Sequence, residues 1–133
     1  MIGVVVATHG KLAEELIRIV EAVVGKIDRI APVSIVASAP DVRAVLKSAI
    51  HEVDGGDGVL LLTDLFGGSP TNLCLSFLTE RKVEVVTGVN LPMLLSLPAA
   101  RTAPGGIAEA AKKLVEAGQK SVTNASEALR GML

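Results

Sequence analysis

The sequence predicts an α/β fold: a doubly wound, mainly parallel four-stranded sheet in the order 2-1-3-4, forming one domain over residues 1–133. Two observations predict it. Four short runs rich in Val, Ile and Leu, "IGVVVA" (2–7), "IAPVSIVA" (30–37), "GVLLLT" (58–63) and "VEVVTG" (83–88), alternate with segments whose apolar residues recur at helical spacing. The runs are also almost continuously apolar, the pattern of strands covered on both faces.

Taken in order, the first run stops at His9 and Gly10, which fall in the turn before a helix with Leu12, Leu16, Ile17, Val20, Val23 and Val24 on its apolar face. The second helix follows residue 37, with Val42, Val45, Leu46, Ala49, Ile50 and Val53 at core spacing. After the third run comes "TDLFGGSPTN" (63–72), whose end reads as a helix start: Ser69 suits the N-cap, Pro70 the first helical position, and Gly67 and Gly68 allow a close turn. Leu73, Cys74, Phe77 and Leu78 continue that helix. Pro92 and Pro98 interrupt "NLPMLLSLPAA" too often for one long helix, whereas Ile107, Ala110, Ala111, Leu114 and Val115 mark a clear amphipathic one. "SVT" (121–123) is the candidate for an antiparallel fifth edge strand.

Composition narrows the function. Half of the residues are hydrophobic but only Phe66 and Phe77 are aromatic, so the core is aliphatic and little is available to stack on a base. The 13 basic and 14 acidic side chains are interspersed, which predicts no nucleic-acid partner and no lipid-binding face. Cys74 is the single cysteine and reads as a small core residue rather than a nucleophile. Met1 to Ala7 lacks a basic n-region, and no apolar run reaches spanning length, so a soluble cytoplasmic protein without direct membrane insertion is expected.

In a doubly wound sheet ligands bind beyond the carboxyl ends of the strands, at the switch point between the first and third. The loop of His9 and the loop opening at Asp64 meet there. Asp64 stands where it can accept a hydrogen bond from one nitrogen of His9, leaving the other unprotonated and nucleophilic. Helix starts after Gly10 and at "GGSPT" offer amide donors to an anion, with Ser69 and Thr71 as side-chain donors. Each element has a plainer reading: a lone histidine is often structural, Asp64 alone is a turn residue, and "GGSP" alone is a loop-to-helix signal. Their coincidence at one sheet edge favours a site. Ser69 lies outside a G-x-S-x-G elbow, which argues against a serine hydrolase. His51 falls near the end of the second helix, off its apolar face, and Cys74 lies in a core pattern, so no metal site is expected. Glu14 and Glu15 read as a solvated helix face, and Asp54 and Asp57 as turn residues.

"VVVATHGKLAEEL" (4–16), "GVLLLTDLFGGSPTN" (58–72) and "VVTGVNLPMLL" (85–95) together resemble the IIA component of the mannose family of the bacterial phosphoenolpyruvate-dependent sugar phosphotransferase system. The similarity runs from Ile2 to about Val122. The resemblance implies that His9 accepts a phosphoryl group on Nε2 from the carrier HPr and passes it to a separate IIB protein, with no cofactor. It implies that Asp64 holds Nδ1–H, that Gly10, Gly67, Gly68, Ser69 and Thr71 surround the phosphate, and that Asn90 and Pro92 shape the crevice. It further implies a homodimer, in which such folds often exchange the fifth strand; "SVT" is short for that purpose. A phosphotransfer subunit of a dihydroxyacetone kinase system shares these motifs, and a purely regulatory phospho-switch module is the other alternative. A response-regulator receiver fits poorly, because its acidic magnesium-binding pair is replaced by Thr8, His9 and Gly10.

Overall fold

A computed structural model describes residues 1–36 and 39–132. The chain alternates strand and helix: β1 (Gly3–His9), α1 (Leu12–Val24), β2 (Ile30–Ile35), α2 (Val42–Val53), β3 (Val59–Thr63), α3 (Ser69–Leu75) and β4 (Val83–Val86). Four helices follow: α4 (Leu91–Leu95), α5 (Leu97–Thr102), α6 (Gly106–Lys120) and α7 (Ala125–Met132). The strands form one parallel sheet in the order β2-β1-β3-β4, as the sequence predicts. Ala37, the last residue of the second predicted strand, lies outside the described residues.

Successive residues of each strand point to opposite faces, so the sheet feeds two cores. Val4, Val6, Leu60, Leu62 and Val86 pack with α1, α4, α5 and α6, while Val5, Ala7, Val33, Ile35, Leu61 and Val83 pack with α2 and α3. Phe77 is fully buried in the second core. Cys74 is buried there too, and burial pushes its thiol up to about 12, so it stays protonated at neutral pH.

Several sequence expectations are corrected. Helix α1 buries Ala13, Ile17 and Val20, whereas Leu12, Val23 and Val24 are 44%, 69% and 48% exposed. The stripe is rotated because Thr8 Oγ1, buried at the end of β1, accepts the Ala13 amide at 2.7 Å and pins that residue against the sheet. Val45 and Leu78 likewise face solvent. At α3 the N-cap is Gly68, not Ser69, which is the first helical residue and makes no capping bond.

"SVT" forms no strand. The Ser121 amide and hydroxyl both donate to Gly118 O, and the Val122 amide donates to Gln119 O, so the segment closes α6 as a turn. Asn124 then caps α7 by accepting the Glu127 amide at 3.1 Å, an N-x-x-E start that sequence inspection overlooked. Every residue of α7 is exposed. Among the described residues no helix is long and apolar enough to cross a membrane.

Candidate functional site

His9 is the last residue of β1, with its side chain half exposed at the carboxyl edge of the sheet. Asp64 immediately follows β3, the parallel neighbour of β1, and the register Ala7↔Thr63 brings the two residues together. Asp64 Oδ2 lies 2.8 Å from His9 Nδ1 and also accepts the His9 amide at 3.1 Å. Its Oδ1 accepts the Leu65 amide at 3.1 Å. Burial pushes the Asp64 carboxyl up, but the hydrogen bonds from the His9 ring and amide outweigh it and hold it below the usual carboxylate range. An ionised Asp64 can only accept, so Nδ1 carries a proton, and in the neutral ring Nε2 keeps its lone pair.

The turn after His9 is tied to β2. Gly10 adopts φ +54°, donates its amide to Ile35 O at 3.3 Å and accepts the Ser34 hydroxyl at 2.6 Å. Both backbone groups are committed, so Gly10 shapes the turn and is not free to bind phosphate as expected. Thr71 is a second correction. It is 1% exposed, and its hydroxyl donates to Leu65 O at 2.6 Å and meets Thr63 Oγ1 at 2.7 Å, which leaves nothing for an anion.

Of Gly67, Gly68 and Ser69, it is Gly68 that the structure sets against the histidine. Gly67 has φ +87°. A Cβ at Gly68 would stand 2.9 Å from His9 Cε1 and 3.4 Å from Nε2, so the imidazole occupies the space that a side chain there would need. Among the described residues no carbonyl accepts the Gly67 or Gly68 amide, and the first amides of α3 have no partner inside the helix.

Among the described residues neither Asn90 nor Pro92 hydrogen-bonds His9. Asn90 Oδ1 caps α4 by accepting the Met93 amide at 2.9 Å, and its Nδ2 donates to Gly118 O at 3.3 Å. Pro92 sits in the first turn of α4, where its fixed φ is favourable. Asn90 lines a groove of about 460 Å³ with Phe66, Thr71, Val86, Gly118 and Val122. His51 is exposed in the last turn of α2, which leads into the start of β3, so it lies at the opposite sheet edge from His9. Among the described residues no three His, Cys, Asp or Glu side chains gather as metal ligands.

Replacing Asp64 by Asn is expected to preserve the fold and to slow chemistry at His9. An amide still fills the turn, but the charge-assisted bond, about twice as strong as a neutral one, is lost at a cost of about 1.4 kcal/mol, or tenfold in rate. If the Asn presents its NH2 to Nδ1, the ring proton moves to Nε2 and the loss is larger. Equal transfer rates for both proteins, measured in each direction, would reduce Asp64 to a turn residue.

The fold and this site define a doubly wound α/β protein whose switch point presents a carboxylate-held histidine. A family model described as PTS system fructose IIA component matches residues 3–115. The chain belongs to this family, the mannose-family IIA components of the sugar phosphotransferase system. It is 31% identical over 124 residues to the PTS system mannose-specific EIIAB component of Escherichia coli K12, covering 91% of this chain and 38% of that protein. The chain thus spans well under half the length of that relative. The PTS IIA protein associated with the fucose utilization operon of Streptococcus pneumoniae superposes with TM-score 0.81 at 32% identity, covering 96% of this chain and 95% of that one. The mannose/sorbose specific IIA subunit from Enterococcus faecalis gives TM-score 0.80 at 29% identity, over 92% and 93% of the two chains.

Proposed function

We propose that this protein is a cytoplasmic histidine phosphocarrier that takes a phosphoryl group from phospho-HPr onto His9 Nε2 and delivers it to a IIB protein. The observation that carries the reading is the 2.8 Å contact between His9 Nδ1 and Asp64, which directs the free lone pair outward. Family membership supports a component of sugar phosphotransfer. In the forward step Nε2 attacks phosphorus, the N–P bond of the donor phosphohistidine breaks, and the donor nitrogen keeps the electron pair. His9 becomes cationic as the new bond forms, and the Asp64 carboxylate neutralises it without moving. Delivery to IIB is the reverse step with a different partner nucleophile.

Phosphoryl transfer of this kind asks a protein mainly for positioning and electrostatics. The Gly67 and Gly68 amides and Ser69 are the proposed phosphate contacts, with Gly68 the residue that lies against the His9 ring. The shoulders of the site are apolar and exposed: Leu12, Leu65 and Phe66 are 44%, 50% and 79% exposed. A surface of that kind suits docking of protein partners. Incubation with phosphoenolpyruvate, enzyme I and HPr should yield one acid-labile phosphoryl group, mapped by fragmentation to His9; a label elsewhere would overturn the assignment.

A homodimer is part of this proposal. Of the two edge strands, β2 carries Pro32 in its centre, which blocks strand addition, while β4 has no proline. Beside β4 lies the Phe66–Val122 groove, and the segment from Val122 through α7 leaves Val122, Leu129 and Met132 82%, 59% and 84% exposed. Sedimentation at micromolar concentration should give a dimer, weakened by deleting residues 119–133. A monomer throughout would reject it.

A further inference from the structure

We infer that Thr63 and Thr71 form a buried hydroxyl latch that sets the histidine tautomer from behind the loop, which makes both of them positioning residues for the site. The inference rests on the reading of His9 as the phosphoryl acceptor. Thr63 is the last residue of β3 and Thr71 the third of α3, and they are 0% and 1% exposed. The Thr71 hydroxyl has one hydrogen, and at 2.6 Å it donates that hydrogen to Leu65 O. The 2.7 Å contact between the two hydroxyls therefore runs from Thr63 to Thr71. The result is a directed chain, Thr63 Oγ1–H to Thr71 Oγ1–H to Leu65 C=O, closed across the base of the loop that follows Asp64.

The chain continues through the Leu65 peptide unit and its neighbour. Thr71 holds the Leu65 carbonyl, while the Leu65 amide donates to Asp64 Oδ1 at 3.1 Å. With Oδ1 engaged on that side, Oδ2 faces His9 and accepts both its amide and Nδ1–H. Thr63 is held in turn, since its carbonyl accepts the Val89 amide at 2.9 Å and its strand pairs with β1 at Ala7. A rotation of the Leu65 residue would turn the Asp64 carboxylate away from the ring. Two threonines that never touch the reacting atoms thus determine which imidazole nitrogen carries the proton. Their burial also explains the choice of threonine over serine: the methyl groups fill the core while the hydroxyls close the chain.

The test is Thr71→Val, which keeps the shape and removes both hydrogen bonds, compared with Thr71→Ser, which keeps the hydroxyl and removes the methyl. The tautomer is read by nitrogen-15 NMR of the unphosphorylated protein, so the measurement stands whether or not His9 accepts phosphate. Thr71→Val is expected to show a mixture of imidazole tautomers and a kcat for transfer from phospho-HPr lowered about tenfold or more with KM unchanged, as small misplacements of reacting groups do. Thr71→Ser should retain the single Nδ1–H tautomer and near-normal transfer despite a lower Tm. A wild-type tautomer in Thr71→Val, even with lowered Tm, would overturn the latch and leave a purely stabilising pair. If Thr71→Val does not fold, Thr63→Val carries the test, because it removes the donor that directs the Thr71 hydrogen onto Leu65 O and so unlatches the loop while keeping the Thr71 side chain. A tautomer mixture in that protein supports the latch; an unchanged spectrum refutes it. Absence of phosphorylation in every variant, with the tautomers as expected, would reject the phosphocarrier reading alone.

Discussion

His9→Ala is expected to lose all labelling from phosphoenolpyruvate, enzyme I and HPr, while His51→Ala labels like the unmodified protein. The difference is geometric. His9 ends β1 at the carboxyl edge, where its Nδ1 is held by Asp64 and its half-exposed ring lies beside Gly68. His51 stands in the last turn of α2, at the other edge, with an exposed ring and no hydrogen-bonded carboxylate among the described residues. Removing the His9 ring removes the nucleophile, so the expected change is complete rather than graded. It leaves the fold intact, because the side chain is half exposed and belongs to neither core. Labelled His9→Ala would move the acceptor to another group, and loss of label in His51→Ala alone would exchange the two roles.

The strand–helix alternation and the pairing of His9 with Asp64 were legible because both follow from position along the chain. Four apolar runs specify four buried strands, and a parallel sheet places the residues just past β1 and β3 together. What escaped the sequence reading depends on contacts between distant segments. Thr71 lies in the expected motif, yet its hydroxyl turns inward to Thr63 and Leu65, and nothing in "GGSPTN" says which way it points. Gly10 stands at a helix start, but Ser34 and Ile35 of β2 take up its backbone groups. Thr8 accepts the amide of a residue five positions on, outside the spacing of an ordinary N-cap, and that single bond rotates the buried face of α1. At the other end of the chain, local signals were present and misread. Val122 and Thr123 have strand propensity, but Gly118 O captures the Ser121 amide and Asn124 starts a helix before any strand can form.

The same distinction between local conformation and distant contact governs Gly68→Ala, for which a loss of transfer of about a hundredfold with little loss of stability is expected. Gly68 has φ −84° and ψ 170°, an extended conformation open to alanine, so the backbone resists nothing. The obstacle is His9. The added Cβ would stand 2.9 Å from Cε1 and 3.2 Å from the Leu65 Cδ1, which is closer than carbon atoms pack. Leu65 is half exposed and can move aside; the ring cannot move without lengthening its 2.8 Å bond to Asp64 or tilting Nε2. Because the ring is also half exposed, tilting it into solvent relieves the clash at the low end of the overpacking cost, about 1 kcal/mol, and Tm should fall only slightly. Transfer should suffer far more, since Nε2 must meet phosphorus in line and the methyl occupies space beside it. Gly67→Ala supplies the contrast: there a Cβ meets nothing within 4 Å, but φ is +87°, so that substitution strains the loop instead of touching the ring. Thermal melts and single-turnover transfer from phospho-HPr on both proteins separate the causes. Gly68→Ala with a normal transfer rate would show that the close approach of Gly68 to His9 is incidental, whereas a nearly unchanged Tm with slow transfer would assign Gly68 to the positioning of the imidazole.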